Sequence, residues 1–374
     1  MITLSNEVIT INTILNYIEE IRDYLNTLEF QTSSSPYFVK IIYRTIKKFL
    51  NHFGFELKFT RFTEYKEFYY FSYSEKNWSL SFLNYCFTHP DNIIDLSLFK
   101  NKEDKKEMIK FIRNKVYAAL LEKIEKNKLF DEEDLKYQNE YKKMERRIKR
   151  KDKNYVLQLN DEKYILPINN FLIEVFYHKY GISEIPDYIR KSLSGKDFID
   201  AGAYIGDSAL ILNELNPRRI YAFEPVKENI SLLRQTIRLN NINNVVIVDK
   251  ALSSKEGISF IVPVGCGSFI SENFMHKKRE RIELTTIDKF VNDNSLDVGL
   301  IKMDIEGHEL EAIKGAKNTI INKKPVLMIS LYHTGDAFEI PKLLKSWVPE
   351  YEFRFLNLNR ANVIFDRILL AYVP

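Results

Sequence analysis

The chain has 374 residues, of which 45% are hydrophobic and 28% are charged, a composition that excludes a largely disordered protein. This length exceeds that of a usual single core, so two domains are expected. The net charge of +4 is small for such a chain and gives only weak support for an acidic partner such as nucleic acid, a nucleotide-linked sugar or a membrane surface.

The cysteines and the apolar runs bear on the compartment. Cys86 and Cys266 are the only cysteines and lack the spacing of metal ligands, which fits a reducing compartment and argues against a disulfide framework. Residues 1–25 lack the basic segment and apolar core of a signal peptide and have the pattern of an amphipathic helix. No apolar run approaches the roughly 20 residues needed to span a bilayer. These features predict a cytoplasmic protein.

Helical and aromatic segments fill the N-terminal part of the chain. Periodicity at residues 4–28 and 103–128 predicts helices, and the aromatic stretch Phe59–Phe87 alternates as β-strands do. We interpret that stretch as a twisted hairpin lining a small core; base stacking on its aromatic side chains is the alternative. The basic run Tyr141–Tyr155 predicts a solvated helix end that joins two domains, with a polyanion-binding patch as the alternative. Residues 1–150 contain no pattern that indicates a particular chemistry.

An α/β pattern begins after residue 155. Short apolar runs alternate there with helical stretches, which predicts a mostly parallel sheet with helices on both faces. The predicted strands lie at residues 197–203, 219–225, 244–252, 300–307 and 326–332, and the helices at 206–215, 227–240 and 308–321. Ligands of such sheets bind beyond the carboxyl ends of the strands, so the residues that end each run are the candidate site residues.

A glycine-containing turn ends the first of these runs. Gly202 allows the backbone to approach a ligand closely, and Gly206 stands where the next helix starts, so that free amides face the bound group. Glu224 ends the second run, where a carboxylate can accept hydrogen bonds from both hydroxyls of a ribose. Loop and carboxylate together predict a nucleoside-bearing cofactor.

Two classes of cofactor compete for this loop. A nicotinamide dehydrogenase usually has G-x-G-x-x-G, which makes room for a pyrophosphate. Here three residues separate the two glycines, with Tyr204 in the middle and Asp200 before them. This pattern favours S-adenosylmethionine, which has no pyrophosphate; a strand-to-helix turn that binds nothing is the structural alternative.

Several motifs in order along the C-terminal part resemble those of the FkbM family of S-adenosylmethionine-dependent methyltransferases. They are FIDAGAYIGDSA from Phe198, IYAFEP from Ile220, LNN from Leu239, KALSS from Lys250, LTTIDKF from Leu284 and, most specifically, IKMDIEGHELEAIKGA from Ile301. The resemblance covers about residues 155–374. It implies a class I methyltransferase sheet of seven strands with the last one antiparallel, and O-methylation of sugars or sugar-bearing natural products.

The resemblance also implies which residues hold the cofactor. The segment Asp200–Gly206 would meet its methionine portion, Glu224 its ribose, and Asp249–Leu252 its adenine. The predicted cofactor-binding residues are therefore Asp200, Gly202, Ala203, Tyr204, Gly206, Glu224, Pro225, Asp249, Lys250 and Ala251.

The acidic strand end from Asp304 is the predicted acceptor side. Asp304, His333 and His308 are candidate catalytic groups, since removal of a proton from the acceptor hydroxyl needs an Asp or His near it; His333 ranks before His308 because it directly follows a strand. Asp304 and Glu306 could instead hold Mg²⁺ or Mn²⁺. Glu309 has a plainer interpretation as a helix-capping residue. Structural roles for both histidines are the alternative.

The sequence thus predicts an N-terminal domain at residues 1–150, of mixed helix and aromatic β segment, and a class I, Rossmann-like α/β methyltransferase domain at 155–374. The predicted function is S-adenosylmethionine-dependent O-methylation of a sugar hydroxyl, on a nucleotide-linked sugar or a surface glycan. A NAD-dependent oxidoreductase and a non-catalytic glycan- or nucleic-acid-binding protein are the alternatives. Adenine N-methylation in nucleic acid is disfavoured, because DIEG replaces its N/D-P-P-Y/W signature. In the C-terminal stretch, Asn357–Asn362 and Asp366-Arg367 depart from the family pattern, so the acceptor cannot be inferred from other members.

Overall fold

The computed structural model describes residues 8–27, 68–263, 269–270, 279–333 and 335–374. The described residues form two compact units. The first contains the residues up to Ile94 and Met108–Asp131, and the second contains Asp95–Glu107 and Glu132–Pro374. Within the described ranges, no helix has the length and apolar character needed to cross a membrane.

The first unit is mainly helical. Its elements in chain order, including one strand and one helix that run across the division between the units, are β1 (Val8–Ile9), α1 (Ile11–Thr27), β2 (Phe68–Tyr70), α2 (Tyr73–Thr88), β3 (Ile94–Asp95), α3 (Lys102–Leu120), β4 (Lys123–Glu125) and α4 (Lys126–Leu129). Strands β2 and β4 pair antiparallel. The helix predicted at 4–28 is confirmed as α1 from Ile11 onwards, after the short strand β1. The helix predicted at 103–128 is confirmed as α3 up to Leu120, and β4 and α4 replace its predicted end.

The hairpin predicted over Phe59–Phe87 is wrong where the structure describes it. Only β2 is a strand, and α2 follows at once, while residues 59–67 lie outside the described residues. A capping box starts this helix: Ser72 Oγ accepts from Glu75 N at 3.2 Å, and Glu75 Oε2 accepts from Ser72 N at 2.7 Å. The buried positions of α2 recur at helical spacing, and they are Glu75, Ser79, Phe82, Leu83 and Cys86. Closely spaced aromatic residues fit the alternation of a strand as well as the periodicity of a helix. The capping box at Ser72 favours the helix.

The second unit contains the remaining elements. In chain order they are α5 (Glu132–Glu145), β5 (Ile148–Lys151), β6 (Asn154–Leu159), β7 (Glu162–Leu166), α6 (Ile173–Phe176), α7 (Asp187–Ser192), β8 (Asp197–Ala201), α8 (Asp207–Asn213), β9 (Arg219–Phe223), α9 (Lys227–Leu239), β10 (Val245–Val248), β11 (Ala251–Leu252), β12 (Gly257–Val262), β13 (Phe269–Ile270), β14 (Glu280–Thr285), α10 (Ile287–Asp293), β15 (Val298–Met303), α11 (Glu309–Lys314), α12 (Lys317–Lys323), β16 (Val326–Ser330), α13 (Asp336–Trp347), β17 (Glu352–Asn357) and β18 (Arg367–Tyr372). The predicted α/β alternation is confirmed.

Within the described residues, seven strands form the central sheet in the order β10-β9-β8-β15-β16-β18-β17. Only β18, the last strand, runs antiparallel to its neighbours. The fold is therefore the predicted class I, Rossmann-like methyltransferase sheet. Strands β8, β15 and β16 are buried along their whole length, as their nearly continuous apolar sequence requires of strands covered on both faces. Strand order reverses beside β8, so the carboxyl ends of β8 and β15 form the crevice where a ligand binds.

The boundary predicted near residue 150 is misplaced. Helix α5 ends at Glu145, and the basic run continues into the antiparallel sheet β5-β6-β7 and not into a linker. Two arginines of the last strands bind the start of α3: Arg354 Nε lies 2.7 Å from Asp104 Oδ2, and Arg367 lies 3.2 Å from Glu107. Both acidic residues precede the predicted boundary, so these ion pairs explain why residues 95–107 belong to the second unit.

A small second sheet follows the third strand. The predicted strand at 244–252 divides, because Ala251 and Leu252 leave the main sheet and pair with β14. Strands β12 and β13 extend this sheet, and Ala251, Ile261 and Ile282 form its own apolar cluster with Val226. The sequence of Phe260–Asn273, with Gly265 and Gly267, predicts a hairpin or flap in which Ser268 touches the acceptor. Strands β12 and β13 pair antiparallel there, and Ser268 lies outside the described residues.

The capping box of α2 provides a test of the helix that replaces the predicted hairpin. We expect Ser72→Ala to destabilise α2 by about 1 kcal/mol, because the Glu75 amide loses its acceptor. Hydrogen exchange followed by mass spectrometry should show faster exchange in peptides covering residues 73–88. Ser74→Ala, at an exposed position in the first turn that takes no part in the capping box, is the control and should exchange like the parent protein. Equal exchange in both variants would contradict the role of the cap.

Candidate active site

The turn after β8 brings two loops into contact at the crevice. Gly202 has φ of 78°, and a Cβ built on it would lie 1.9 Å from the carbonyl oxygen of Asp304, so no other residue fits there. The amides of Gly202 and Ala203 donate to the Phe223 carbonyl, each at 3.0 Å. Tyr204 and Gly206 also have positive φ, of 44° and 83°. The loop is therefore fixed against the ends of β9 and β15 before any ligand binds.

Glu224 fixes the loop from its other side. Its Oε2 accepts from the Tyr204 amide at 2.9 Å, and its Oε1 accepts from the Val226 amide at 2.9 Å and from Asn229 Nδ2 at 3.2 Å. Burial raises the pKa of Glu224 to about 7, although these three donors and Lys302 oppose the shift. Glu224 thus presents a carboxylate beside the loop. A further hydrogen-bond donor that binds this carboxylate would favour its charged form.

A pocket with about 560 Å³ of empty space opens between the glycine loop, the small sheet and the acidic strand end. Its lining residues are Ala201, Gly202, Tyr204, Phe223, Glu224, Pro225, Asn229, Lys250, Ala251, Leu252, Ile261, Ile270, Asp304, Ile305, Glu306 and His308. The pocket brings together Gly202, Tyr204, Glu224, Pro225, Lys250 and Ala251 of the predicted cofactor set with Asp304, Glu306 and His308 of the predicted acceptor side.

Four predicted cofactor residues do not line this pocket. Asp200 is fully buried beneath the loop, where its Oδ2 accepts from Ser208 Oγ at 2.6 Å and its Oδ1 lies 3.2 Å from Lys302 Nζ. Ala203 packs in an apolar cluster, and Gly206 lies against Leu233 of α9. Asp249 is exposed. The first three of these residues shape the loop from behind.

Most of the other lining residues could not be predicted from the sequence. Ile261 and Ile270 come from β12 and β13, which cover the pocket only because the small sheet folds over it. Phe223 and Leu252 are ordinary apolar residues at strand ends. Asn229 is the exception, because its position one turn into the helix after Glu224 predicts a contact with that carboxylate.

The acidic strand end divides into residues that face the pocket and residues that hold the loop. Asp304 and Glu306 line the pocket, and Asp304 Oδ1 accepts from Tyr332 Oη at 2.9 Å. Glu309 is fully buried and accepts from the amides of Ile305, at 2.7 Å, and Gly307, at 2.9 Å. Glu309 therefore caps the loop, which supports the structural interpretation of this residue.

His333 lies behind this loop and not on the pocket wall. It is 3% exposed, with Nε2 at 3.4 Å from Glu306 Oε2 and Nδ1 at 3.3 Å from Glu309 Oε2. Burial alone would lower the pKa of His333, but Glu309 and Glu306 outweigh it and raise the pKa to about 10. An imidazolium with this pKa already holds its proton at neutral pH, so the environment opposes the predicted role of His333 as a base.

His308 lies on the pocket wall in a different environment. Its Nε2 is 3.0 Å from Ser253 Oγ, and burial lowers the pKa of the imidazole despite Glu309 and Glu311 nearby. His308 is therefore neutral at neutral pH. The sequence ranks His333 before His308, whereas His308 is the one of the two that lines the pocket.

The environment of Asp304 and Glu306 does not fit the predicted metal site well. Glu306 is paired with the His333 imidazolium, and Asp304 is bound by Tyr332. Among the described residues, the group whose ligand atoms all lie within 4.8 Å of one another is instead Glu309, His333 and Asp336. A divalent cation there would have to replace the proton of His333, which already supplies a positive charge to the same carboxylates.

The buried imidazolium predicts a pH dependence of stability. A group whose pKa is raised on folding stabilises the folded state fully below its unfolded pKa, about 6.5, and loses this effect as pH rises towards the folded value of about 10. We therefore expect the difference in free energy of unfolding between the parent protein and His333→Gln to shrink between about pH 7 and pH 10. Urea denaturation across this range measures it.

The control for this experiment is His89→Gln, which changes an exposed histidine in α2's C-terminal cap position. This variant should keep the pH slope of the parent protein. A constant difference between the parent protein and His333→Gln from pH 7 to 10 would contradict a protonated His333.

Comparisons with known proteins found the following similarities. Residues 200–355 match the family model of the methyltransferase FkbM domain. The chain is 28% identical over 174 residues to the hexuronic acid methyltransferase AglP of Haloferax volcanii, a match that covers 45% of this chain and 69% of that protein. It is also similar to a solved FkbM methyltransferase from Methylobacillus flagellatus, with 16% identity, 96% of this chain and 77% of that chain covered, and a TM-score of 0.48. Residues 200–355 are therefore similar to the FkbM family of methyltransferases.

Proposed function

We propose that this protein is an S-adenosylmethionine-dependent O-methyltransferase that acts on a sugar hydroxyl. The observation that carries the proposal is the pocket at the carboxyl edge of β8 and β15, in which the glycine loop and Glu224 face Asp304. The match of residues 200–355 to the methyltransferase FkbM domain supports methyl transfer. The hexuronic acid methyltransferase among its relatives supports a saccharide acceptor, either as a nucleotide-linked sugar or within a glycan.

The residues of the pocket fit S-adenosylmethionine. Gly202 lets the loop lie directly against the Asp304 carbonyl, and Glu224 presents a carboxylate suited to the hydroxyls of a ribose. Apolar residues of the small sheet, Ile261 and Ile270, offer a surface for a flat ring. When bound, S-adenosylmethionine supplies an activated methyl group on a sulfonium.

Asp304 is the residue proposed to receive the proton of the acceptor hydroxyl. It lies on the pocket wall, and the hydrogen bond from Tyr332 to Oδ1 fixes the orientation of the carboxylate and leaves Oδ2 for the acceptor. A positioned base of this kind aligns the hydroxyl oxygen and removes its proton as the new bond to carbon forms. His308 remains a second candidate because it is neutral and lines the same pocket.

The loop does not favour the oxidoreductase alternative. The close contact between Gly202 and the Asp304 carbonyl occupies the space behind the turn, and the spacing of the two glycines is not that of a pyrophosphate loop. The alternative of a non-catalytic binding protein can also be tested at Glu224. It predicts that a substitution of Glu224 leaves the function of the protein unchanged.

Binding of the cofactor should depend on the charge of Glu224. We expect Glu224→Gln to weaken the affinity for S-adenosylmethionine by about tenfold or more, since a carboxylate accepts hydroxyl donors more strongly than an amide. The pKa of about 7 adds a signature: affinity of the parent protein should rise from about pH 6 to about pH 8, and the variant should lack this rise. Isothermal titration calorimetry measures both.

The control for the titration is Glu228→Gln, on an exposed position of α9. Its affinity for S-adenosylmethionine should match that of the parent protein. The cofactor assignment would be contradicted if Glu224→Gln bound S-adenosylmethionine as tightly as the parent protein does. It would also be contradicted if NADH stabilised the protein and S-adenosylmethionine did not.

Activity and the need for a metal can be measured together. We expect transfer of labelled methyl from S-adenosylmethionine to members of a panel of sugars, nucleotide sugars and extracted glycans, and a loss of about a hundredfold in kcat for Asp304→Asn. EDTA should leave the rate unchanged, because His333 already provides the positive charge among Glu306, Glu309 and Asp336. Transfer to none of the saccharides would overturn the proposed acceptor class, and a rate restored only by Mg²⁺ or Mn²⁺ would contradict the imidazolium.

A further inference from the structure

We propose, as a refinement that rests on the function proposed above, that the acceptor is an amino sugar whose ammonium group is bound by carboxylates at the edge of the sheet beside the pocket. The carboxylates are those of Glu174, Asp207, Asp304 and Asp366, here called the acidic face. The comparisons give a different precedent, a hexuronic acid methyltransferase, so the inference distinguishes this chain from that relative.

Four separate elements bring the acidic face together. Glu174 lies on α6, which packs against α8, and Asp207 is the first residue of α8. Asp304 follows β15. Asp366 directly precedes β18, whose antiparallel direction places its beginning at the carboxyl end of β16: the Leu331 amide donates to the Arg367 carbonyl at 2.7 Å. Asp207, Asp304 and Asp366 therefore lie at the edge of the sheet where the pocket opens, and Asp304 lines that pocket. Glu174 interacts electrostatically with all three.

One carboxylate oxygen of this face is buried without a donor. Asp207 is 3% exposed; its Oδ1 accepts from the Ser208 amide at 3.0 Å, whereas Oδ2 has no hydrogen-bond partner among the residues that the structure describes. Buried polar atoms are rarely left in this state, and a bound donor is one way to satisfy them. Glu174, Tyr180 and Lys302 all interact electrostatically with Asp207, so the atom belongs to the acidic face.

The nearby cations are shared among several groups, and Lys302 also lowers the pKa of Asp207. Lys302 lies 3.2 Å from Asp200 and donates to the Gly202 carbonyl at 2.8 Å. Arg367 pairs with Glu107 at 3.2 Å, and its guanidinium donates to backbone carbonyls. The His333 imidazolium lies among other carboxylates. Arg367 offsets part of the charge of Asp366, but four carboxylates exceed what these groups neutralise.

The carboxylates respond to this excess of negative charge. Burial raises the pKa of Asp207 to about 7 and that of Asp366 to about 6, and neighbouring carboxylates raise them further. Desolvation and then Asp366, Asp304 and Asp207 raise the pKa of Glu174 well above its usual range. A bound ammonium would relieve this repulsion. The carboxylate of a hexuronate or the diphosphate of a nucleotide sugar would add to it, which makes an anionic acceptor unfavourable.

A matched set of acceptors tests the inference. The set is the methyl glycoside of one hexose, its 2-amino-2-deoxy analogue, the N-acetyl derivative of that analogue, and the corresponding hexuronate. We expect kcat/KM of the amino sugar to exceed that of the hexose and the N-acetyl derivative by about tenfold, and the hexuronate to be the poorest acceptor. Equal rates for amino and N-acetyl sugars, or a preference for the hexuronate, would overturn the inference.

Variants identify the residues responsible. Glu174→Gln and Asp366→Asn should lower kcat/KM of the amino sugar about tenfold more than that of the hexose, with an unchanged Kd for S-adenosylmethionine; Glu228→Gln is the matched control outside the site. A weakened Kd for S-adenosylmethionine without a change in acceptor preference would assign the acidic face to the cofactor and overturn the inference. Stabilisation by Mg²⁺ or Ca²⁺ that both variants abolish would assign it to a metal and also overturn it.

The outcomes separate this inference from the proposed function. Transfer to the neutral hexose with no preference for the amine would leave the sugar O-methyltransferase standing and remove only the amino-sugar acceptor. Transfer to none of the four sugars, with S-adenosylmethionine still bound, would remove both.

Discussion

The site depends on a buried amine at the centre of the sheet. Lys302 is 2% exposed, and its Nζ lies 3.2 Å from Asp200 while it donates to the Gly202 carbonyl at 2.8 Å. A buried charge is stable only when it is paired and hydrogen-bonded, so the amine requires both the carboxylate and the loop carbonyl in place. Burial opposes the charge of Lys302, but Asp200, Asp304 and Asp207 outweigh it and raise the pKa. The amine thereby joins the end of β15 to the glycine loop after β8.

The loop then determines the shape of the pocket. The backbone of Asp304 presses against Gly202 so closely that a side chain is excluded there, and Glu224 holds the Tyr204 amide from the other side. Neither contact needs a ligand, so the pocket is formed in advance. Preorganisation of this kind lowers the cost of ordering a site when its ligand binds.

Charge on the acceptor side is distributed unevenly, and this gives similar residues different roles. Glu309 caps backbone amides and lies beside an imidazolium, and its pKa is lowered: burial opposes the charged form, but His333 outweighs it. Glu306, on the pocket wall, has a raised pKa because burial exceeds the help that it receives from His333. His333 and His308 differ in the same way, since two carboxylates flank the first and a serine hydroxyl meets the second. Identity of the side chain does not fix its protonation; its neighbours do.

The sequence by itself determined the α/β fold, the position of the cofactor loop, and the importance of Glu224 and Asp304, because these are recorded locally, in strand and helix periods and in motifs of a few residues. The tertiary structure decided which residues meet. It placed Ile261 and Ile270 over the pocket, moved Asp200 and Ala203 behind it, charged His333, and gathered Glu174, Asp207 and Asp366 from three separate elements. It also decided the aromatic stretch before Thr88, where two periods fit the residues equally and the cap at Ser72 selects a helix. Burial and charge at a site are sums over neighbours distant in sequence, and no local pattern records them.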